Sequence, residues 1–327
     1  MLNKVFLLVI PLLWMPLTLL AQQLYVVSFA GVGGPAGAAL MATQYLGLFE
    51  KYGLNADPVF IAGGARGIQS LLGGSTHFYT GDAIAPMSAA LRGGDVVIIG
   101  ATQNTIPGGL IARKDIRKPS DLMGKKIGIV NFGGSNELSV VLALKKWNIP
   151  REAVVILPSG STADRLSALM RGALDATPLA PPLLFQATRR GMNILIDFED
   201  IAPFPQNSIA VRRSFLRENR EKVKSFLQAY SEMVFHLITD KQKATSVYRK
   251  GLRQEDPSIL EETHSYYRGR LSFPPRVVRG EGMQLAAQMS AQRLGILKSD
   301  IDLEQFLDES LTDELEKEGF FKKFVKR

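Results

Sequence analysis

The chain contains one structural unit twice: a short apolar strand, a loop rich in glycine and serine, a helix, and the same series again up to a final strand. The first copy spans 24–80 and the second spans 126–177. The segment VFIAGGARGIQSLLGGSTHFYTGDA (59–83) aligns with VVILPSGSTADRLSALMRGALDATPLA (154–180). Strands that alternate with helices form parallel sheets joined by right-handed crossovers. Two copies therefore predict two α/β lobes of similar build.

Two similar segments bracket the second copy, GLIAR at 109–113 and SIAVR at 208–212. We interpret them as paired hinge segments, so that the second lobe is an insertion in the first. Beyond Ser214 the sequence is mainly helical, with one long helix expected over 215–238, and should complete the first lobe. The predicted division is residues 1–21 for a signal peptide, 22–111 plus 210–327 for the first lobe, and 112–209 for the second.

The first residues have the pattern of a signal peptide. Lys4 precedes an apolar run over 5–20 that two prolines interrupt. A membrane-spanning helix needs about 20 predominantly apolar residues, so we expect export to the periplasm with cleavage near Ala21. An uncleaved membrane anchor is the alternative. Gln22 stands where a lipoprotein would have its lipidated cysteine, which excludes lipid attachment at that position.

Composition excludes several classes of function. The chain has no cysteine, so disulfides, thiolate zinc sites and cysteine nucleophiles are ruled out. Its net charge is +8, yet no basic block is interleaved with aromatic residues, so we expect no binding of nucleic acid. The three histidines lie far apart without metal-ligand spacing, and no catalytic set stands out. We expect neither a metal nor a cofactor.

The candidate site lies in the loops that follow the strands, because ligands of open α/β sheets bind beyond the carboxyl ends of the strands. Five of the six loops are rich in Gly, Ser, Thr or Asn, and three of them open predicted helices. The free N–H groups and the positive dipole end of a helix suit a carboxylate, sulfonate or phosphate. Glycine permits close approach of the backbone. Simple turn formation is the alternative.

Five larger side chains stand at the same positions. Phe29, Tyr79 and Phe132 lie at strand ends, where they either stack on a ligand or pack in the core. Asp82 either binds an amine or hydroxyl group or caps the next helix. Arg66 either pairs with an anion or remains solvated. The sequence leaves each pair of alternatives open.

The sequence resembles the nitrate/sulfonate/taurine-type substrate-binding proteins of ABC transporters, a group that also includes THI5/NMT1-like binders of thiamine precursors. The resemblance runs over most of the chain after the signal peptide. It rests on YLGLFEKYGLNADPV (45–59), AGGARGIQSLLGG (62–74), YTGDAIAP (79–86), DIRKPSDLMGKKIGI (115–129) and LSALMRGALDAT (166–177). The resemblance implies the type II periplasmic-binding-protein fold, with two α/β lobes joined by a two-segment hinge.

The resemblance also implies a function. The chain would be a monomeric receptor, not an enzyme, that binds a small anionic or heteroaromatic organic solute between its lobes and delivers it to an ABC permease and ATPase. The alternatives are a ligand-sensing or accessory protein without transport, and a chorismate dehydratase-like enzyme on the same fold. Carried over by position, the ligand contacts are Gly33, Gly34, Gly64, Tyr79, Gly81, Asp82, Ser135, Asn136, Gly160 and Ser161.

Overall fold

A computed structural model describes residues 23–30, 35–61, 63–296 and 301–325. The predicted signal peptide, Gly33 and Gly34 lie outside these ranges. Within the described residues, ten strands form two sheets of five. The strands are β1 (Tyr25–Phe29), β2 (Ala56–Phe60), β3 (Phe78–Gly81), β4 (Val97–Gln103), β5 (Gly109–Ala112), β6 (Lys126–Ile129), β7 (Val155–Pro158), β8 (Ala176–Leu179), β9 (Asn193–Asp197) and β10 (Asn207–Val211).

Helices cover both sheets. None of those in the described ranges has the length and apolar character needed to cross a membrane. They are α1 (Pro35–Tyr45), α2 (Leu48–Lys51), α3 (Gly64–Leu72), α4 (Ile84–Leu91), α5 (Ser135–Lys146), α6 (Thr162–Met170), α7 (Leu183–Arg189), α8 (Arg213–Glu218), α9 (Arg220–Thr239), α10 (Lys241–Leu252), α11 (Pro257–Arg268), α12 (Glu281–Arg293), α13 (Ser310–Lys317) and α14 (Lys322–Val325).

The two sheets have equivalent strand orders, β2-β1-β3-β10-β4 and β7-β6-β8-β5-β9. The prediction of two α/β lobes is confirmed. The prediction of wholly parallel sheets is wrong at one strand in each: β10 and β5 run antiparallel to both of their neighbours. Both strands are entered directly from the other lobe. The chain therefore runs through them in the opposite direction to strands that follow a crossover helix.

The segments predicted to form the hinge lie inside the sheets. β5 pairs with β8 and β9 in the second sheet, and β10 pairs with β3 and β4 in the first. Every residue of both strands is buried, as expected for interior strands. The chain passes between the sheets at 104–108 and 198–206. We propose these segments as the lobe boundaries, because the sequence-based boundaries at 111/112 and 209/210 each fall within a strand.

The C-terminal helices complete the first lobe. Phe226 of α9 stacks on Phe78 of β3, with ring centroids 4.3 Å apart, and on Phe49 of α2, at 5.7 Å. The single helix expected over 215–238 is two helices, α8 and α9, because Asn219 leaves the helical region of φ and ψ. The Asn219 side chain donates to the carbonyl of Phe215 (3.4 Å), a local bond that competes with helix continuation.

Candidate functional site

A cavity of about 560 Å³ lies between the two lobes, at the carboxyl ends of β1, β3 and β8. Four helices of nine or more residues, α1, α3, α5 and α6, begin at its wall. Their first turns bring free N–H groups and positive dipole ends to one space. The cavity is therefore suited to a negatively charged group, as the glycine- and serine-rich loops suggest from sequence.

Seven of the thirteen residues predicted from the sequence lie on the cavity wall. They are Phe29, Gly64, Gly81, Asp82, Ser135, Asn136 and Ser161. Gly33 and Gly34 lie outside the described residues. The structure does not bring the other four, Arg66, Tyr79, Phe132 and Gly160, to the wall.

Tyr79 lies behind the wall rather than on it. Its side chain is fully buried, and its hydroxyl donates to the carbonyl of Asp82 (3.4 Å). A Cβ atom at Gly64 would stand 2.9 Å from the Tyr79 hydroxyl oxygen, and one at Gly81 would overlap it. These two glycines leave room for the Tyr79 ring. The absence of a side chain at these two positions is thus explained by packing beneath the cavity.

The other three residues outside the wall have separate surroundings. Arg66 is exposed on α3. Phe132, 45% exposed, lines a second cavity of about 530 Å³ between α3, α4 and α12. Gly160 adopts φ +80° in the turn before α6. Next to it, the Ser161 hydroxyl is held 2.6 Å from a carboxylate oxygen of Asp164 and caps that helix, so it is already partnered.

Asp82 joins the two lobes across the cavity. Its carboxylate accepts from the N–H of Ile84 (3.1 Å) and from Ala85 in the first turn of α4. It also accepts from the N–H and the hydroxyl of Ser135, at the start of α5 in the other lobe. Burial raises the pKa of Asp82, while these hydrogen bonds favour its ionised form. Helix capping, one of the two roles open from sequence, is therefore observed together with a contact between lobes.

Arg165 of α6 is the buried charged residue of the described wall that the sequence analysis did not predict. It is 1% exposed, and its guanidinium donates to Thr177 Oγ1 (2.8 Å), the carbonyl of Pro178 (2.6 Å) and Thr162 Oγ1 (3.2 Å). Its Nε has no partner, and none of the ion pairs among the described residues involves it. Burial lowers its pKa to about 10, so it remains charged at neutral pH.

A sequence signal for Arg165 was available. Arg165 precedes Leu169 by four positions and follows Thr162 by three, so it lies on the face of α6 that Leu169 buries. An arginine at a core-facing position requires a partner. No carboxylate of α6 supplies one, because Asp164 bonds to Ser161 instead.

Three uncharged wall residues carry buried polar atoms without partners. Gln103 Nε2 of the first lobe, Gln206 Oε1 of the crossing segment 198–206 and Asn136 Oδ1 of the second lobe have no hydrogen-bond partner among the described residues. Gln103 was not predicted, because it ends β4, a strand that lies outside both copies of the repeated unit. Buried polar atoms in folded proteins are normally paired, so these three atoms are exceptions among the described wall residues.

The charged side chains on the described wall are Arg165, Arg253 and Asp82. Arg253 follows α10 with φ +50°, an uncommon conformation for a residue other than glycine, and is exposed at the edge of the cavity. The described residues contain no cluster of His, Asp or Glu that is placed to hold a metal ion. The wall thus carries one more positive than negative charge.

Two five-stranded α/β sheets of the same order, two chain crossings and a cavity between the lobes define a protein with the type II periplasmic-binding-protein fold. Within that class, the chain belongs to the NMT1/THI5-like family, whose model matches residues 35–244.

Individual relatives are more distant. The chain is 29% identical over 223 residues to a putative binding protein of Brucella abortus, which covers 66% of this chain and 68% of that protein. It is 28% identical over 204 residues to the taurine-binding periplasmic protein of Escherichia coli. The match covers 61% of this chain and 60% of that protein. The crystal structure of the periplasmic aliphatic sulphonate binding protein SsuA from Escherichia coli shares the fold, with a TM-score of 0.72 and 18% identity. The match covers 88% of this chain and 98% of that one.

Proposed function

We propose that this protein is the extracytoplasmic solute-binding receptor of an ABC importer and that its solute is a small organic anion. Membership of the family and the names of the relatives, which bind taurine and aliphatic sulphonates, support a binding role. Residues 1–21, with their signal-peptide pattern, support a periplasmic location. Delivery to a permease and ATPase, by a monomer, is part of the same proposal.

The observation that carries the proposal is the buried guanidinium of Arg165. A charge removed from water costs several kcal/mol unless an opposite charge or a full set of hydrogen bonds compensates it. Arg165 has three neutral acceptors and one N–H group without a partner. A carboxylate or sulfonate in the cavity would supply the missing opposite charge.

The first turns of α3, α5 and α6 act in the same direction. Each presents N–H groups to the cavity, and a helix N-terminus favours an anion by roughly 0.3–1 kcal/mol. The start of α5 is partly occupied by the Asp82 carboxylate. An anion beside Arg165 therefore has α6 as its nearest helix start, since Arg165 itself lies in the first turns of that helix.

The test compares the same substitution at two arginines, one on the cavity wall and one outside it. The purified protein is unfolded and refolded to remove bound solute, and its thermal midpoint is measured with taurine, alkanesulfonates, nitrate and aromatic carboxylates. A true ligand at about 100 times its Kd adds about 2.7 kcal/mol, which raises Tm by a few degrees. Arg165→Met should abolish the shift, whereas Arg66→Met, at an exposed arginine outside the wall, should keep it.

A shift that survives in Arg165→Met would contradict the anion-binding role of this residue. Coupling to transport is measured separately, by adding the solute-loaded protein to its transporter in proteoliposomes. Loaded protein should stimulate ATP hydrolysis more than empty protein does. Equal rates with loaded and empty protein would instead favour a sensing or accessory role.

A further inference from the structure

A second cavity of about 530 Å³ lies beside the first and has walls from both lobes. The first lobe contributes residues of α3, α4 and α12, and the second contributes the loop 131–134 before α5. The two cavities share four wall residues, Gly64, Asp82, Asn131 and Gly134. Arg165 lines only the first cavity, so the binding properties of the second depend on its own side chains.

The second cavity has an apolar part to which both lobes contribute. Its larger apolar side chains are Ile68, Leu72, Ile84, Phe132, Met289 and Leu294. Phe132 is 45% exposed and Leu72 is 36% exposed, and none of the ring contacts among the described residues involves Phe132. A cavity of this volume with such a wall is suited to a small organic molecule. An aromatic ring there would stack on Phe132 and cover Leu72.

The same wall carries a cation without a partner. Arg92 follows α4, is exposed, and has no ion pair or side-chain hydrogen bond among the described residues. The other two charged wall residues are already engaged. Arg293 pairs with Glu137 at 2.5 Å, and Asp82 accepts hydrogen bonds from Ser135. The free guanidinium of Arg92 is therefore suited to a carboxylate or sulfonate.

We infer that the second cavity is a separate binding site for an aromatic carboxylate or sulfonate. The ring lies between Phe132 and the apolar side chains of α3 and α12, and the anionic group lies at Arg92. An occupant that contacts both lobes binds this arrangement better than one with the lobes apart, so it favours the closed form. The site is distinct from the one proposed for the transported solute and does not depend on that function.

The test uses 2-naphthoate as the probe, because it combines an aromatic body with a carboxylate. Naphthalene-2-carboxamide is its uncharged counterpart. Each compound is titrated into the refolded, ligand-free protein by isothermal titration calorimetry. The carboxylate should bind about fivefold more tightly than the carboxamide, because only the carboxylate forms an ion pair with the exposed guanidinium of Arg92.

Substitutions at exposed positions then locate the probe. Arg92→Met should weaken binding of 2-naphthoate about fivefold and leave binding of the carboxamide unchanged. Phe132→Ala should weaken binding of both compounds about threefold or more, since both lose the same ring contact. Arg66→Met and Phe60→Ala repeat these replacements at exposed side chains outside both cavities and should bind both compounds like wild type.

The same titrations in Arg165→Met separate the two cavities. The site at the second cavity should keep its affinity for 2-naphthoate, because Arg165 is not on that wall. Should this variant not fold, the Arg92→Met and Phe132→Ala results decide, since neither residue lines the first cavity.

Three results in wild type and Arg92→Met would overturn the inference. They are no saturable binding of 2-naphthoate, equal affinities of 2-naphthoate and the carboxamide, and unchanged binding of 2-naphthoate in Arg92→Met. Loss of all binding in a folded Arg165→Met protein would also overturn it, because the probe would then lie in the first cavity.

Discussion

At the scale of single residues, the glycines beneath the cavity show how packing and binding are linked. The ring of Tyr79 occupies the space where side chains at Gly64, Gly67 and Gly81 would extend. Sequence reasoning assigned Gly64 and Gly81 to close approach of a ligand, and both do line the cavity. The structure adds that their small size is required from behind as well.

Gly64→Ala should therefore destabilise the fold. Its Cβ would lie 2.9 Å from the Tyr79 hydroxyl and 3.0 Å from Ala85 Cβ, and overpacking of this kind costs about 1–3 kcal/mol. Tyr79→Phe removes the hydroxyl and should recover part of the loss. Urea unfolding of the two single variants and the double variant gives the coupling energy. Gly269→Ala is the control, because its Cβ would meet nothing within 4 Å and φ is −88°.

A coupling energy near zero between Gly64→Ala and Tyr79→Phe would contradict this explanation of the glycine. The strain would then come from Ala85, the other close neighbour.

At the scale of elements, the sequence predicts best what depends on local pattern. The strands after which α3, α5 and α6 begin follow from apolar runs ended by glycine and serine. The sheet that receives β5 or β10 does not follow from pattern, because both strands are fully buried and pairing is decided by the rest of the fold. For Arg165, helical spacing places the side chain on the buried face of α6, but its partners Thr177 and Pro178 come from β8 and do not follow from local pattern.

An ion pair stabilises α2, which is too short to be stable through helix propensity alone. α2 has four residues, and Glu232 of α9 accepts from Lys51 Nζ (2.6 Å) and the Tyr52 hydroxyl (2.7 Å) at its end. Glu232 is 6% exposed. Burial raises the pKa of Glu232, but the hydrogen bonds from Lys51 and Tyr52 outweigh this and hold the pKa below its usual value.

Glu232→Gln should lower the free energy of unfolding by about 1–3 kcal/mol at neutral pH, because it weakens a buried charged hydrogen-bond set. The pKa of Glu232 is depressed in the folded state. Its contribution is therefore present above the ordinary glutamate range and is lost as pH falls through the folded pKa. Denaturant unfolding at neutral and acidic pH should show the difference from wild type shrinking in acid.

The control for that prediction is Glu261→Gln, which removes a partner of Lys241 (3.1 Å) from an exposed pair and should change stability by less than about 1 kcal/mol. A Glu232→Gln difference that stays constant with pH would show that lost packing, not charge, explains the effect.

At the scale of the whole molecule, two groups of contacts hold the lobes together on either side of the cavity. Arg293 of α12 pairs with Glu137 of α5 at 2.5 Å, and the Glu137 side chain is 5% exposed. Arg189 of α7 reaches Asp256 (3.3 Å) and Glu262 (2.6 Å) on the first lobe, at the surface. The buried pair is expected to matter more for closure, since exposed pairs contribute little.

Arg293→Met should therefore weaken solute binding by roughly five- to thirtyfold, because it leaves Glu137 buried without its cation and so disfavours the closed form. Arg189→Met should weaken it by about fivefold or less. Calorimetry gives the affinities, and small-angle X-ray scattering with and without solute gives the extent of closure. A larger effect from Arg189→Met than from Arg293→Met would assign closure to the other side of the cleft.

Because β10 comes late in the sequence, the strands of the second sheet are all synthesised before those of the first sheet are complete. This strand lies between β3 and β4 in the first sheet, yet the chain reaches it only after the whole second sheet, β5 to β9, has been made. A nascent chain that ends near residue 206 contains every strand of the second sheet but lacks the strand that joins β3 to β4 in the first. The inserted lobe is thus the half of the molecule that can be finished first, and the lobe that begins the sequence is the last to be closed.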